Sequence, residues 1–327
     1  MCQSPGFKHE VRRSYMKNKR QKYTGPGKRF MYSFSRNKVI YAFLVFPILY
    51  FVLFKYIPMA GNIIAFRKYR TGGNYFGEEW SGLKYFEMFL TDENFWSVFF
   101  NTITLSAMVL IITFPLSIIF ALLLNEVGHK GYKKIVQSVA IVPKFLSVVV
   151  VVMIFNSLLS PSNGVVNEIV KFFGGEEIFF MNEAGWFRPV YIITDIWQFM
   201  GWNSIIYMAV LASADQEQYE AAMIDGANRW KQTRYITLPI MIPTISINFI
   251  ISIGHILNLG FEKALLIQKP STYATSDIIQ TFVYRMGLLN KNYSYGTAVG
   301  LFQAVIGLVL LYIANKVVNK RWNTGLW

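Results

Sequence analysis

Tyr219–Pro239, YEAAMIDGANRWKQTRYITLP, is the stretch on which the fold turns. It is polar and partly basic, yet it lies between two hydrophobic runs that are each long enough to cross a bilayer. Glu220-Ala221-Ala222 opens it, Asp225-Gly226-Ala227 follows after two residues, and Ile236-Thr237-Leu238-Pro239 closes it. Alanine and glutamate favour helix, and Gly226 is a natural stop and turn. Small side chains at 221, 222, 226 and 227 leave a narrow rod that can lie deep in a partner's groove. Pro239 and Pro243 sit where a new helix begins, a place where a missing N–H costs little.

This order of residues resembles the EAA motif of permease subunits from binding-protein-dependent ATP-binding-cassette importers. Glu220, Ala221, Ala222, Asp225, Gly226, Ala227, Trp230, Ile236, Leu238 and Pro239 all stand where the carbohydrate-uptake branch of that family has them. The preceding Trp197-Gln198-Phe199-Met200-Gly201-Trp202 is similar to that branch as well. The resemblance implies a coupling segment over 212–239, with Glu220 to Ala222 and Asp225 to Ala227 docking on an ATPase subunit. It covers residues 39–327, is strongest over 190–243 and says nothing of the tail. The fold it implies is that of a type I importer permease, an all-α integral membrane protein.

Composition agrees. Of 327 residues, 15% are charged and 54% hydrophobic, and the mean hydropathy is +0.34, which places the chain among integral membrane proteins. Six segments qualify as spans by length and apolar content: 39–57, 97–124, 135–155, 189–211, 240–261 and 297–318. The runs are continuous rather than alternating, which excludes the strands of a β-barrel. Residues 1–38 form a basic tail with eleven Lys and Arg against one acid, Glu10, so the positive-inside rule puts it in the cytoplasm. Six spans return the C-terminus to the same side, together with the basic loops 125–134 and 212–239. The expected location is a bacterial cytoplasmic membrane, crossed several times with both termini inside.

The tail has little hydrophobic content and few aromatics arranged for stacking on nucleic acid. Topogenic charge and attraction to anionic lipid explain it, and no nucleic-acid partner is expected. The first apolar run begins too late and is too long for a cleavable signal. Cys2 is the only cysteine, so neither a disulfide within the chain nor a thiolate metal site is expected.

Polar groups inside spans are expensive and usually face a cavity or another helix. The fourth span carries Trp197, Gln198, Trp202 and Asn203; the fifth carries Asn248, His255 and Asn258, with Glu262 at its outer end. The spacing of Asn248, His255, Asn258 and Glu262 predicts one polar helix face. These eight residues are candidates for the wall of a substrate path, where amides and aromatic faces meet a sugar; glue between helices is the other explanation of the same stripe. Asp195 and Lys144 lie near span ends, where snorkelling accounts for them.

Catalytic motifs are missing. Gly27-Lys28 lacks the rest of a phosphate-binding loop, so the chain is expected to hold no cofactor and to leave ATP to its partners. What the resemblance implies is an assembly: a second permease in a heterodimer, two cytoplasmic ATP-binding subunits and an extracytoplasmic substrate-binding protein. The expected cargo is an oligosaccharide or polysaccharide fragment. A proton-coupled secondary transporter is the alternative, with His255 as its one good titratable group, and a membrane enzyme is a weaker third.

Topology is directly testable. In a Cys2-free background, Arg229→Cys should react with impermeant maleimide from the cytoplasmic side and Ser162→Cys from outside. Labelling of both from one side would break the six-span arrangement.

Overall fold

The computed structural model describes Phe34 and residues 36–326. Most of the basic tail, including Cys2, lies outside the described residues. Among the described residues regular structure is helical, with a single isolated bridge between Arg67 and Trp80. The chain forms two units, Met1–Asn62 and Ile63–Trp327.

In the first unit, α1 (Lys38–Phe51) runs through Pro47 into a π-helical turn, Val52–Tyr56, and then a turn of α-helix, Ile57–Ala60. No side chain in α1 is buried, and an apolar helix with no covered face is suited to lipid.

The second unit starts with α2 (Lys84–Leu90) and α3 (Glu93–Glu126), a 34-residue helix that continues unbroken past Pro115. Asp92 caps it by accepting from the Asn94 N–H at 2.9 Å. Next come α4 (Lys130–Ile141), a 3₁₀ turn over Val142–Phe145, and α5 (Val148–Leu158). The short α6 (Val165–Phe172) precedes α7 (Ala184–Ala212) and α8 (Gln216–Ile224). Then follow α9 (Leu238–Gly254), α10 (Phe261–Ile267), α11 (Ile279–Val283) and α12 (Tyr293–Trp322).

Among the described residues four continuous helices are long and apolar enough to cross a membrane: Lys38–Phe66, Glu93–Glu126, Arg229–Gly254 and Tyr293–Trp322. At 29 residues α7 is also long enough, but Arg188, Asp195, Gln198 and Asn203 keep it less apolar than those four. Two of the expected spans are interrupted. The run read as 135–155 is two helices, Lys130–Phe145 and Val148–Leu158, bent by 104°. Pro143 begins the 3₁₀ turn, Leu146 is extended, and Ser147 restarts the helix by accepting from the Val150 N–H at 3.3 Å. The run read as 240–261 is helical only to Gly254; the chain then leaves the helix until Phe261.

Three apolar clusters hold the second unit. One gathers Phe89, Phe95, Leu257, Ile279, Phe282 and Val299; a second Leu105, Phe187, Tyr191, Ile267 and Ile278; a third Ala121, Tyr207, Leu211 and Met241. Small residues let the helices approach, as membrane packing without a strong hydrophobic drive requires. Gly201 of α7 lies against the Ala140 carbonyl of α4, and a Cβ at 201 would overlap it. Gly254 and Gly307 serve the α9–α12 crossing in the same way: a Cβ at 307 would stand 3.2 Å from the Gly254 carbonyl.

Because backbone cannot yield as a flexible side chain can, Gly201→Leu should force α7 and α4 apart. A loss of at least 1–3 kcal/mol is expected, in the range of overpacked cores. Thermal unfolding of the purified complex checks this; a wild-type midpoint would show that the crossing is not tight.

Candidate functional site

A cavity of about 1040 Å³ opens between α3, α7, α9 and the start of α10. From α7 it is lined by Tyr191, Asp195, Gln198, Phe199, Trp202 and Asn203. At about 100° per residue these positions cluster on one side of the helix, and Trp197 falls on the other. Trp197 accordingly packs on Phe155, with ring centroids 5.8 Å apart, away from the cavity. Asn248 lines the opposite wall from α9, followed by His255 and Asn258, and then Glu262. Seven of the eight residues expected on a path therefore meet around one space.

They do not meet in the way their spacing predicts. Only Asn248 stands within the helix; His255 caps its end, Asn258 lies in the break, and Glu262 belongs to α10. The expected single polar face is therefore replaced by a helix end and an irregular rung. Gln198 has two tasks. Its amide lines the cavity and also donates to the Leu146 carbonyl at 3.3 Å, which the bend between α4 and α5 has freed.

The cavity wall also carries a charge pair that sequence reasoning missed. Lys263 of α10 donates to Asp195 of α7 at 2.5 Å, with side chains only 4% and 14% exposed. The same ammonium lies over the Tyr191 ring, 4.0 Å from its centroid. Phe199 stands between two cations, 4.3 Å from Lys144 and 5.6 Å from Lys263. Asp195 therefore does not snorkel: it stands midway along α7 and is consumed by an ion pair. Lys144 is spent on an aromatic face. The available signal was Lys263 itself, a lone cation inside the apolar run Phe261–Ile267, just past the point where the fifth span seemed to end.

The second candidate site is the loop after α7. Asp215 caps α8 by accepting from the Glu217 N–H at 3.0 Å. The helix closes with Gly226 in the left-handed region, φ +73°. The Gly226 N–H donates to the Met223 carbonyl at 3.1 Å and the Ala227 N–H to Ala222 at 2.9 Å, the paired bonds of a Schellman turn. Asn228 then starts a new turn by accepting from the Lys231 N–H at 2.9 Å. A hydroxyl contact of 3.1 Å between Tyr219 and Thr237 ties the two ends of the loop. Glu220, Ala221, Asp225 and Gly226 are exposed, Ala222 and Ala227 half-buried. Ile224 is 87% exposed and Trp230 70%, a large apolar outlay for a polar loop. Neither Glu220 nor Asp225 forms an ion pair with another described residue.

The family model described as binding-protein-dependent transport system inner membrane component matches residues 113–324, which hold the loop and all seven path candidates that line the cavity. The chain belongs to that family. Among its relatives, protein LplB of Bacillus subtilis is 41% identical over 303 residues, 93% of this chain and 95% of that protein. The polygalacturonan/rhamnogalacturonan transport system permease YteP of the same organism is 41% identical over 300 residues, 92% of this chain and 94% of its own. The permease also resembles a solved bacterial transporter for import of the acidic polysaccharide alginate, with a TM-score of 0.83 and 39% identity over 90% of this chain and 99% of that one. A second such structure, 38% identical, holds that transporter with an alginate pentasaccharide-bound periplasmic protein. The permease is thus a multi-pass membrane transport subunit with the all-α fold of a type I importer.

Burial makes the Asp195–Lys263 pair costly to break and cheap to replace whole. Asp195→Asn and Lys263→Met, made singly, should each destabilise the permease by about 3–5 kcal/mol. The double variant Asp195→Leu, Lys263→Met should recover most of that. Denaturant unfolding of the purified complex distinguishes the cases, and single variants as stable as wild type would show that the pair holds nothing.

Proposed function

We propose that this permease imports an oligosaccharide or polysaccharide fragment, and that the cavity is this chain's part of the route. The observation that carries the proposal is the lining: amides at 198, 203, 248 and 258, the His255 imidazole, and the Trp202 and Tyr191 rings in one space. Amides and imidazole exchange hydrogen bonds with hydroxyl groups, and flat rings cover the apolar face of a sugar. The names of two similar proteins, which speak of polygalacturonan/rhamnogalacturonan and of alginate, support the same cargo class.

The assembly follows from that reading. A second permease faces this one, two ATP-binding subunits dock from the cytoplasm, and an external protein delivers the sugar. Both termini lie inside, and the chain crosses the membrane six times. ATP is bound and hydrolysed by the partners, and this chain holds no cofactor. The loop over 212–239 supplies the contact: α8 is a rod of nine residues, about 13 Å long, with its small and apolar side chains outward. ATPase closure pushes on that rod, and α9 continues from the loop to the cavity wall. A proton-coupled mechanism gains no support, because the buried charges Asp195 and Lys263 satisfy each other and His255 is exposed at a helix end.

Two measurements test this. ATP hydrolysis by the purified complex should rise when binding protein loaded with oligosaccharide is added; no rise with any carbohydrate would end the proposal. Gly226→Leu should insert normally but reduce both stimulation and uptake, because a branched side chain at φ +73° costs about 1–2 kcal/mol in a turn the rod needs. A Cβ there meets nothing within 4 Å, so Gly226→Asn, which tolerates the left-handed region, should retain more activity. Wild-type uptake in Gly226→Leu would remove the docking assignment.

A further inference from the structure

The rung between α9 and α10 is held from behind. Past Gly254 the α-helical ladder stops until Phe261, and a carbonyl left bare inside a membrane protein is expensive. The Leu257 carbonyl is met by two side-chain amides: Nε2 of Gln280, on α11, and Nε2 of Gln303, on α12, both donate to it. Neither glutamine lines the cavity; they reach the rung from its far side. The Leu257 side chain sits in the first apolar cluster and Leu259 packs on the second, so the rung is pinned on both flanks. Its far end is fastened by Lys263 on Asp195.

The two glutamines also settle which way Asn258 faces. A carbonyl acceptor at Leu257 obliges both glutamines to present N–H there and not oxygen. The same two nitrogens lie 3.4 and 3.3 Å from Oδ1 of Asn258. With its oxygen drawn to those donors, the Asn258 amide has only its NH₂ group left for the cavity. The Oε1 of Gln280 is buried without a partner among the described residues, which fits a side chain committed to its donor end.

Resting on the carbohydrate-path reading above, we propose that Gln280 and Gln303 are positioning residues that make Asn258 a fixed hydrogen-bond donor in the substrate path. Such a donor selects cargo that offers an oxygen acceptor at that point: a hydroxyl, a ring oxygen or a carboxylate. An asparagine free to flip would offer donor and acceptor alike and would discriminate less. The glutamines act through Asn258, so their worth in transport depends on it.

That dependence is what the experiment reads. The full complex, reconstituted with its binding protein, is supplied with a tritiated mixture of neutral and acidic oligosaccharides, and uptake is normalised to assembled complex. Asn258→Asp, nearly isosteric and without an NH₂ donor, should lower uptake about tenfold. Gln303→Met and Gln280→Met, similar in length and unable to donate, should each lower it about three- to tenfold when Asn258 is present. In an Asn258→Ala background the same substitutions should lower uptake no further, since changes acting through one group are not additive. Equal losses in both backgrounds would mean that the glutamines serve only packing, and would overturn the proposal. Wild-type uptake in Asn258→Asp would overturn it too. Should Gln280→Met fail to assemble, Gln303→Met alone in the two backgrounds decides. No wild-type uptake of any carbohydrate would defeat the path reading and this proposal together; additive losses on an active complex defeat the proposal alone.

Discussion

A carbonyl that leaves a helix within a bilayer has no water to turn to, and in this permease glutamine amides take the place of water. Gln198 serves the carbonyl of Leu146 at the bend between α4 and α5. Gln280 and Gln303 serve that of Leu257 at the break between α9 and α10. Each break would otherwise cost several kcal/mol of unsatisfied backbone, so without these side chains the helices would have reason to stay continuous. The second break forms part of the cavity wall, and it carries His255, Asn258 and Glu262 to the cavity on a helix end, an irregular rung and a new helix.

The Asp195–Lys263 pair belongs to the same economy of buried polarity. Bringing a carboxylate and an ammonium out of water is costly, and their mutual attraction offsets that only when the geometry is close. Here the separation is 2.5 Å, and the Tyr191 ring lies beneath the ammonium. A pair of this kind is poor evidence for stability and better evidence for register, because an α10 displaced from α7 would strand two charges. It fastens the wall at the end the glutamines do not reach.

The loop over 212–239 follows opposite rules. Its backbone is satisfied by its own caps, Asp215 and Asn228 at helix starts and the Schellman turn at Gly226. Its side chains, Ile224 and Trp230 above all, are left exposed. The loop keeps its shape largely through its own hydrogen bonds, with Arg229 paired to Glu126 of α3 at 2.9 Å, and its exposed apolar surface fits the docking role proposed for it. The cavity is the reverse, with its polar groups turned inward and its backbone dependent on distant helices.

Composition and apolar runs were enough to determine a multi-pass helical membrane protein, and the order Glu220 to Pro239 was enough to indicate the family. The helix stop at Gly226 was equally legible, because a left-handed turn is a local property of one residue and its neighbours. Tertiary structure alone decided the breaks. Pro143 and Gly254 permit an interruption, but an interruption forms only where a partner 52, 23 or 46 residues away supplies the missing hydrogen bond. The same distance effect hid the Asp195–Lys263 pair, whose members are 68 residues apart; Asp195 taken singly looked like a span-end charge. Helix periodicity, by contrast, is local: it is what turned Trp197 away from the cavity that Gln198 lines. Hydropathy measures what a polar residue loses on leaving water; which polar groups are spared that loss depends on which other elements come near.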